Sequence, residues 1–372
     1  MAVNLLLQAL SAGGHTVDLL TYHEGEPVVH PGLTLHRIRR PPFARQVPPG
    51  PSLKKILCDL YMAPRALAMA RRQHYDVVHA VEESVYMAMW IRRRQGTPYL
   101  YDMDSSLSRQ IAEKFPLLKF LLPLLRHAER AALRGALAVI PVCQALADIA
   151  HAEGAGKVCL LRDISLMTPA SPADREAVRQ LMPPPGPTRF LYLGNLESYQ
   201  GLDLLLDAFA IFRDRGGTGC LVVAGGKPDD IRRYRNRAES LKLADRVHFI
   251  GPQPIRRMAA LFEAADVLVS PRIKGNNTPM KIYSYLASGK AILATDLPTH
   301  TQVLNPTVAR LVAPQAEPWA AAMLQLAADP ALRGQLGAAG QARAREAHSL
   351  ETFDRTVLDL YAWIRDQLPG RP

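Results

Sequence analysis

Short apolar runs alternate, along almost the whole chain, with longer segments whose apolar residues recur at helical spacing. The short runs predict strands at 17–22, 33–38, 77–81, 98–102, 137–142, 189–194, 220–225, 246–251, 266–271, 291–295 and 309–313. Between them, residues such as Leu205, Phe209 and Phe212 mark one face of a helix. This alternation predicts an α/β protein whose parallel sheets are covered by helices on both faces.

The strand–helix rhythm is interrupted once by a proline-rich stretch, which predicts two doubly wound, Rossmann-like domains facing each other across a cleft. The predicted divisions are an N-terminal domain at 1–165, a linker at 166–188, a C-terminal domain at 189–349 and a final helix at 350–372. The final helix has one apolar face, and we expect it to pack back toward the N-terminal domain. That face consists of Phe353, Val357, Leu360, Tyr361 and Ile364.

The N-terminal domain departs from this plan at its start, where MAVNLLLQALSAGG reads as a helix ahead of the strand at 17–22. A Rossmann-like domain normally opens with a strand and a glycine-rich turn. We therefore expect the first strand of this domain to be missing, which leaves unpaired strand edges. Either the sheet is rearranged or the chain starts late relative to its ancestors, and the second explanation is favoured.

Composition narrows the range of partners. The 372 residues are 48% apolar and carry a net charge of +11, which favours acidic partners such as nucleotides, nucleic acid or an anionic membrane. Aromatic residues make up only 6% and are not interleaved with Arg/Lys clusters, so nucleic acid is not expected. Four scattered cysteines, with no leader and no apolar run long enough to span a bilayer, predict a cytoplasmic protein.

One segment leaves two readings open. Residues 115–135 are apolar but include Lys119 and Pro123, so they form either a buried or domain-facing helix or a surface that touches lipid. In the second case the protein is peripheral at the inner membrane face. Further basic contributors to such a surface are Lys54, Lys55, Arg92, Arg93 and Arg94.

The stretch SPRIKGNNTPMKIYSYLASGK, at 270–290, joins a strand end to a helix through a cationic, amide-rich loop. Thr278 is a suitable N-cap, and Pro279 suits the first helical position. Free amides at that helix start, with the cations, predict a phosphate site. The residues assigned to it are Arg272, Lys274, Asn277, Thr278 and Lys281.

Two glycine turns lie in the same predicted domain. Gly194 and Gly201 flank a polar loop between a strand and a helix, and Gly225 with Lys227 follows the next strand. Glycine lets a ligand approach the backbone closely. Each turn alone is a weak signal, but together with 270–290 they indicate one ligand site at the carboxyl ends of the strands.

The N-terminal half offers fewer candidates. Asp102 and Asp104 have the spacing of a shared metal site, but Glu82 and Glu83 follow a different strand, so no metal is expected. A polar cleft wall facing an acceptor is favoured instead. His79 either lines the same cleft or is a structural hydrogen-bonding residue. No nucleophilic triad and no P-loop motif is present.

Taken together, these segments resemble glycosyltransferase family 4, whose members are retaining, nucleotide-sugar-dependent enzymes of GT-B fold. The likeness is carried by ERAALRGALAVIPVCQALADI (129–149), YLGNLESYQGLDLLLDAF (192–209), RVHFIGPQP (246–254) and PMKIYSYLASGKAILATD (279–296). It runs over nearly the whole length. The combination is specific, whereas any one piece is not.

The sequence also departs from the family pattern. Asn195 and Gln200 stand where the family usually has Arg and Lys, and Asn276 and Ser284 stand at its two acidic positions. A histidine that is often implicated in the N-terminal cleft of the family would fall near Asp104 of this sequence. We favour a divergent enzyme in which the cations have moved to the 270–290 stretch. A non-catalytic sugar-nucleotide-binding or partner subunit and a truncated, inactive copy stay open as alternatives.

The resemblance implies a hexosyltransferase-type reaction with retention and without a metal. The donor is a UDP-, GDP- or ADP-sugar with no further cofactor, and the acceptor is a lipid-linked or polysaccharide glycan of the cell envelope. Asn276 and Asp104 are the catalytic candidates. The donor-site candidates are Gly194, Asn195, Gln200, Gly225, Lys227, Arg272, Lys274, Asn277, Thr278, Lys281 and Ser284.

Overall fold

The computed structural model describes residues 2–47, 52–114, 120–165, 167–184, 186–275 and 277–368. The chain divides into two compact units. Unit 1 comprises Met1–Arg162 together with Glu351–Pro372, and unit 2 comprises Asp163–Leu350. Both contain parallel strands joined by helices, so the predicted α/β fold is confirmed.

The strands lie close to their predicted positions: β1 Val17–Thr21, β2 Leu33–Arg37, β3 Val78–Val81, β4 Tyr99–Met103, β5 Ala138–Pro141, β6 Thr188–Leu193, β7 Gly219–Ala224, β8 Val247–Gly251, β9 Val267–Ser270, β10 Ala291–Thr295 and β11 Arg310–Val312. The helices are α1 Ala2–Ala12, α2 Leu53–Arg72, α3 Val85–Gln95, α4 Leu107–Lys114, α5 Leu122–Gly135, α6 Gln144–Ala152, α7 Pro172–Leu181, α8 Leu202–Asp214, α9 Pro228–Ser240, α10 Met258–Glu263, α11 Lys281–Ala287, α12 Pro298–Thr301, α13 Ala316–Ala328, α14 Pro330–Ala347 and α15 Leu350–Gln367.

Unit 1 contains two parallel sheets, β1–β2 and β3–β4–β5. Among the residues that the structure describes, β2 is the only strand that pairs with β1, and β4 is the only strand that pairs with β3. The second sheet forms the main core of the unit, where Tyr99, Tyr101 and Leu133 are fully buried or nearly so. Because β3 and β4 are parallel, the residues that follow them lie at the same edge of this sheet.

Helix α15 packs within unit 1 along its apolar face. Phe353, Val357 and Ile364 on that face are buried. Tyr361 and His79 of β3 share a hydrogen bond of 2.8 Å between the phenol oxygen and Nδ1. The ammonium group of Lys157 lies 5.1 Å from the ring centre of Trp363, a cation–π contact. Helix α15 therefore folds with the chain's first half, although its sequence follows unit 2.

Unit 2 contains a six-stranded parallel sheet in the order β11–β10–β9–β6–β7–β8. The first strand of the unit, β6, is central: the chain runs through β7 and β8 on one side of it and then through β9, β10 and β11 on the other. Apolar cores cover both faces of the sheet, one around Phe190, Phe209 and Phe212 and the other around Phe262 and Tyr285. This is the Rossmann strand order, with a topological switch point between β6 and β9.

Two further segments singled out in the sequence are the proline-rich stretch and residues 115–135. Within the stretch, α7 packs in unit 2, where Arg175 pairs with Glu263 at 2.7 Å. Of the segment at 115–135, residues 115–119 lie outside the described residues, and α5 covers Leu122–Gly135. In the part of the chain that the structure describes, no helix has the length and apolar character needed to cross a bilayer.

Candidate functional site

The candidate site lies at the switch point of unit 2, where two loops leave the carboxyl ends of neighbouring strands. The loop after β6 runs from Gly194 to Gly201, and the loop after β9 runs from Pro271 to Met280. Open α/β sheets bind ligands in the crevice between such loops, because the strand connections diverge there and leave space. The two segments that the sequence singled out separately therefore meet at one place.

Glycines bring the loops into backbone contact. A Cβ atom added to Gly201 would lie 1.9 Å from the carbonyl oxygen of Pro271, and Gly201 has a φ of +75°. A Cβ atom on Gly225 would lie 2.1 Å from the carbonyl oxygen of Gly194. A hydrogen bond of 3.0 Å from the amide of Ile273 to the carbonyl of Tyr199 joins the loops further. Only glycine permits this approach.

Lys281, the first residue of α11, directs its ammonium group toward the end of β6. The group donates a hydrogen bond of 3.2 Å to the carbonyl oxygen of Leu193 and lies 4.4 Å from the ring centre of Tyr192. Desolvation, with a smaller contribution from the charge of Arg272, lowers the pKa of Lys281 to about 7. An anion bound beside this ammonium group would raise its pKa and so favour the charged form.

Arg272 supplies a second cation on the neighbouring loop. Its guanidinium donates to the carbonyl oxygen of Lys274 at 2.7 Å and lies 5.2 Å from the ring centre of Tyr199. Burial lowers its pKa from the usual value. Bonds to backbone carbonyls do not neutralise the charge, so two cations share one side of the crevice.

A buried histidine holds the Arg272 backbone. His300 Nε2 lies 2.9 Å from the hydroxyl of Ser270, and its Nδ1 lies 2.9 Å from the hydroxyl of Thr295. The hydroxyl of Thr295 in turn donates to the carbonyl oxygen of Arg272 at 2.6 Å. Desolvation lowers the pKa of His300 to about 3, so the imidazole is neutral and adds no charge to the site. Its role is to position the loop.

Two polar atoms in these loops are buried without a hydrogen-bond partner among the described residues: Oε1 of Gln200 and Oγ1 of Thr278. Buried polar atoms are normally paired, because an unpaired one loses its hydrogen bonds to water without replacement. Both belong to the predicted site. Their presence fits a site that exchanges hydrogen bonds with a polar ligand.

One local prediction about α11 is wrong. Thr278 was expected to cap the helix, but α11 begins at Lys281 after Met280, and no side-chain cap bond is present there. Pro279 therefore lies before the helix, where its carbonyl accepts from the amide of Ile282 at 2.9 Å. The helix spans only 7 residues. Positive charge in this site accordingly comes from side chains more than from a helix terminus.

The other predicted donor-site residues lie at varying depth. Asn195, Lys227 and Lys274 are exposed, and the carbonyl oxygen of Asn195 accepts a hydrogen bond from Tyr192 at 2.5 Å. Ser284 is buried on α11, where it accepts a hydrogen bond of 3.3 Å from Ser165. Asn277 presents its carbonyl oxygen to the hydroxyl of Thr299 at 2.8 Å. Asn276 lies outside the described residues.

Asp104, the other catalytic candidate, follows β4 in unit 1 and is exposed. Next to it, Ser105 donates a hydrogen bond of 2.9 Å to Glu82, which follows β3. Glu82 has a φ of +52°, uncommon for a residue other than glycine. Burial chiefly, together with the charges of Asp104 and Glu83, raises the pKa of Glu82 to about 8. Sequence reasoning missed this residue as a candidate, although its position at a strand end was a signal.

The contact between Asp102 and His79 has a structural role. Oδ2 of Asp102 lies 3.2 Å from Nε2 of His79, whose other nitrogen bonds Tyr361. Of the two readings of His79, the structural one fits these contacts. Across the described part of the chain, no three His, Cys, Asp or Glu side chains converge in a group that could hold a metal ion.

Sequence comparisons agree with this fold. Residues 174–343 match the model of the group 1 glycosyl transferases, and residues 1–163 match that of the glycosyl transferase 4-like domain. The two matches together cover most of the chain. The fold is of the Rossmann type, with a crevice at the switch point of unit 2. The chain belongs to glycosyltransferase family 4.

Curated relatives include D-inositol 3-phosphate glycosyltransferases. The one from Xylanimonas cellulosilytica is 26% identical over 215 residues, which are 56% of this chain and 51% of the relative. The one from Corynebacterium diphtheriae is 28% identical over 115 residues, or 29% of this chain and 27% of the relative. The matched regions thus span about half or less of these relatives.

Solved structures resemble the chain over more of its length. Sucrose-phosphate synthase from Thermosynechococcus elongatus gives a TM-score of 0.79 at 22% identity, covering 98% of this chain and 93% of that one. Anabaena HepE in complex with UDP gives 0.73 at 17% identity, covering 98% and 96%. WaaG, a glycosyltransferase involved in lipopolysaccharide biosynthesis, gives 0.65 at 17%, covering 96% and 94%. These likenesses show a GT-B fold.

Proposed function

We propose that the protein transfers a sugar from a nucleoside-diphosphate donor to a glycan or lipid-linked acceptor. The observation that carries this proposal is the placement of Lys281 and Arg272 at the β6/β9 switch point, beside the backbone of Gly194. Family membership supports it, as does the likeness to HepE, which was solved with UDP and with UDP-glucose.

The donor's diphosphate would lie against the ammonium group of Lys281 and the guanidinium of Arg272. An ammonium group has three N–H donors, and the bond to Leu193 uses one of them. Fixed cations stabilise the charge that develops on a departing nucleoside diphosphate, so they do the work that a metal does elsewhere. Retention of configuration and independence of metal follow from the family and are part of the proposal.

The acceptor is proposed to meet unit 1 at the edge where Asp104 and Glu82 follow β4 and β3. A carboxyl group with a pKa near 8, as for Glu82, exchanges a proton easily near neutral pH. Asp104 stays the catalytic candidate on this side. Asn276 stays the candidate on the donor side, where its amide would hydrogen-bond sugar hydroxyls.

Calorimetry on the full chain tests the donor proposal. UDP-glucose, GDP-glucose and ADP-glucose are titrated in turn, and we expect saturable binding of one of them. Release of the nucleoside diphosphate, followed with and without candidate glycan acceptors, then tests turnover. A folded protein that binds none of the three sugar nucleotides contradicts the proposed function.

Donor affinity is expected to fall as pH rises above about 7. Lys281 is charged below its pKa of about 7, and a bound diphosphate favours the charged form, so binding above that pH must take up a proton. The fall approaches tenfold per pH unit, until the pKa of Lys281 in the complex is reached. A sugar nucleotide is the right probe, because its diphosphate lacks the terminal phosphate that titrates in free UDP.

The neighbouring groups do not reverse this sign. Arg272 stays charged over the range, and His300, with a pKa of about 3, stays neutral.

The free energy of unfolding without ligand has the opposite pH dependence. Because the usual pKa of lysine, 10.5, exceeds the folded value of Lys281, the free energy of unfolding rises from about pH 7 toward pH 10. Calorimetry at several pH values measures the pH dependence of donor affinity, and urea unfolding at the same pH values measures that of the free energy of unfolding. Equal donor affinity at pH 6.5 and 9 would contradict the role given to Lys281.

A further inference from the structure

Helix α2 of unit 1 carries an apolar stripe that the core does not use. Leu53, Ile56 and Leu60 recur at three- and four-residue spacing and are 83%, 56% and 65% exposed. Single exposed aliphatic residues are ordinary on protein surfaces, whereas successive ones along one helix face form a continuous patch. Packing within unit 1 therefore does not explain the stripe.

The opposite face of α2 is anchored, so the stripe faces away from the core. Cys58 is fully buried in a cluster with Ile38 and Ala44. Asp59 accepts a hydrogen bond of 2.6 Å from the hydroxyl of Tyr22. The orientation of the helix is thereby set, and rotation to bury the stripe would break these contacts.

A neighbouring loop extends the patch. Lys54, in the first turn of α2, donates a hydrogen bond of 2.7 Å to the carbonyl oxygen of Arg45. That bond places Phe43, which is 92% exposed, on a loop tied to the start of the stripe. Tyr61, 41% exposed, lies one residue beyond Leu60. We name the set Phe43, Leu53, Ile56, Leu60 and Tyr61 the α2 surface.

Exposed cations lie on the same helix and loop as the α2 surface. Exposed basic side chains occur on the helix and on the loop, namely Lys54, Arg65, Arg71, Arg72 and Arg45. The single carboxylate of the helix, Asp59, is turned inward to Tyr22. A helix that carries both an exposed apolar stripe and exposed Lys and Arg residues suits the boundary of an anionic bilayer, where acyl chains receive the apolar residues and lipid phosphates receive the cations.

We infer that the α2 surface docks unit 1 on an anionic membrane. The rival surface suggested by the sequence, at 115–135, also has Phe120 and Leu124 exposed, but two of the five basic residues assigned with it make contacts inside unit 1. Arg92 bonds the carbonyl of Gly135, and Lys55 pairs with Glu83 at 2.6 Å. This inference goes beyond the proposed reaction, because vesicle binding can be measured whether or not a sugar is transferred.

Vesicle sedimentation with the full chain tests the inference. The probes are vesicles of equal parts phosphatidylglycerol and phosphatidylcholine, and vesicles of phosphatidylcholine alone. The test variant is L53S/I56S/L60S, and a second variant, K54Q/R65Q, removes charge only. Ile255, 64% exposed in unit 2, supplies the matched control I255S, and F120S/L124S tests the rival surface. Circular dichroism and calorimetric donor titration show that each variant is folded.

We expect the wild-type chain to sediment with anionic vesicles and at least tenfold less with neutral ones. Partitioning should fall at least tenfold in L53S/I56S/L60S, fall severalfold in K54Q/R65Q, and stay unchanged in I255S. Absence of wild-type binding to anionic vesicles overturns the inference and indicates that the patch meets a protein instead. Loss of binding in F120S/L124S with full binding in L53S/I56S/L60S also overturns it.

Discussion

Replacing Lys281 with methionine is expected to lower donor affinity by roughly 30- to 150-fold at pH 7. The estimate corresponds to about 2–3 kcal/mol for a charge-assisted hydrogen bond to phosphate in a partly dry crevice. Methionine keeps the length and apolar contacts of the lysine stem beside Tyr192. The variant should therefore lose the ligand and keep the fold. Calorimetric titration with the sugar nucleotide that the wild type binds measures the loss.

Lys290 provides the matched control. It is also partly buried, its ammonium group donates to the carbonyl oxygen of Glu263 at 2.9 Å, and burial lowers its pKa. It directly precedes β10, at the amino-terminal edge of the sheet, away from the loops that follow β6 and β9. Lys290→Met should bind donor as the wild type does. Equal affinity in the Lys281→Met and wild-type proteins, both folded, would remove Lys281 from the site.

Replacing Gly201 with alanine is expected to destabilise unit 2 by about 3 kcal/mol or more. The added methyl group would lie 1.9 Å from the carbonyl oxygen of Pro271, and the φ of +75° is itself unfavourable for alanine. Relief requires the loops after β6 and β9 to separate. For a unit of this size, the midpoint of thermal unfolding should fall by roughly 6–12 °C. Donor affinity should fall as well.

Gly334→Ala separates this effect from a general effect of the substitution. Gly334 lies within α14, has no atom within 4 Å of an added Cβ, and does not have a positive φ. Alanine there should leave stability unchanged or raise it by about 0.5–1 kcal/mol, because glycine is the poorer helix former. Calorimetric unfolding compares the two variants. A Gly201→Ala protein as stable as the wild type would show that the loops are not in contact.

Local pattern predicted the elements of this protein well. Buried parallel strands are short apolar runs bounded by polar turns, and such runs can be located without knowing their neighbours. The start of α11 was predicted less well: Thr278 and Pro279 have the residue types of a helix start, yet the helix begins at Lys281. The preference of such residues for a helix start contributes about 1 kcal/mol to stability, and the tertiary contacts of the loop outweigh it.

The sequence by itself determined the α/β class, the glycine turns and the cationic loop, because strand periodicity, glycine and charge are local properties. Only the tertiary structure decided which residues meet. The strand order brings the loops after β6 and β9 together, and burial then lowers the pKa of Lys281. The tertiary structure also brings His79 into contact with Tyr361 and leaves the outer face of α2 exposed to solvent. Such outcomes depend on contacts between residues far apart in the chain, and on desolvation, which no short segment encodes.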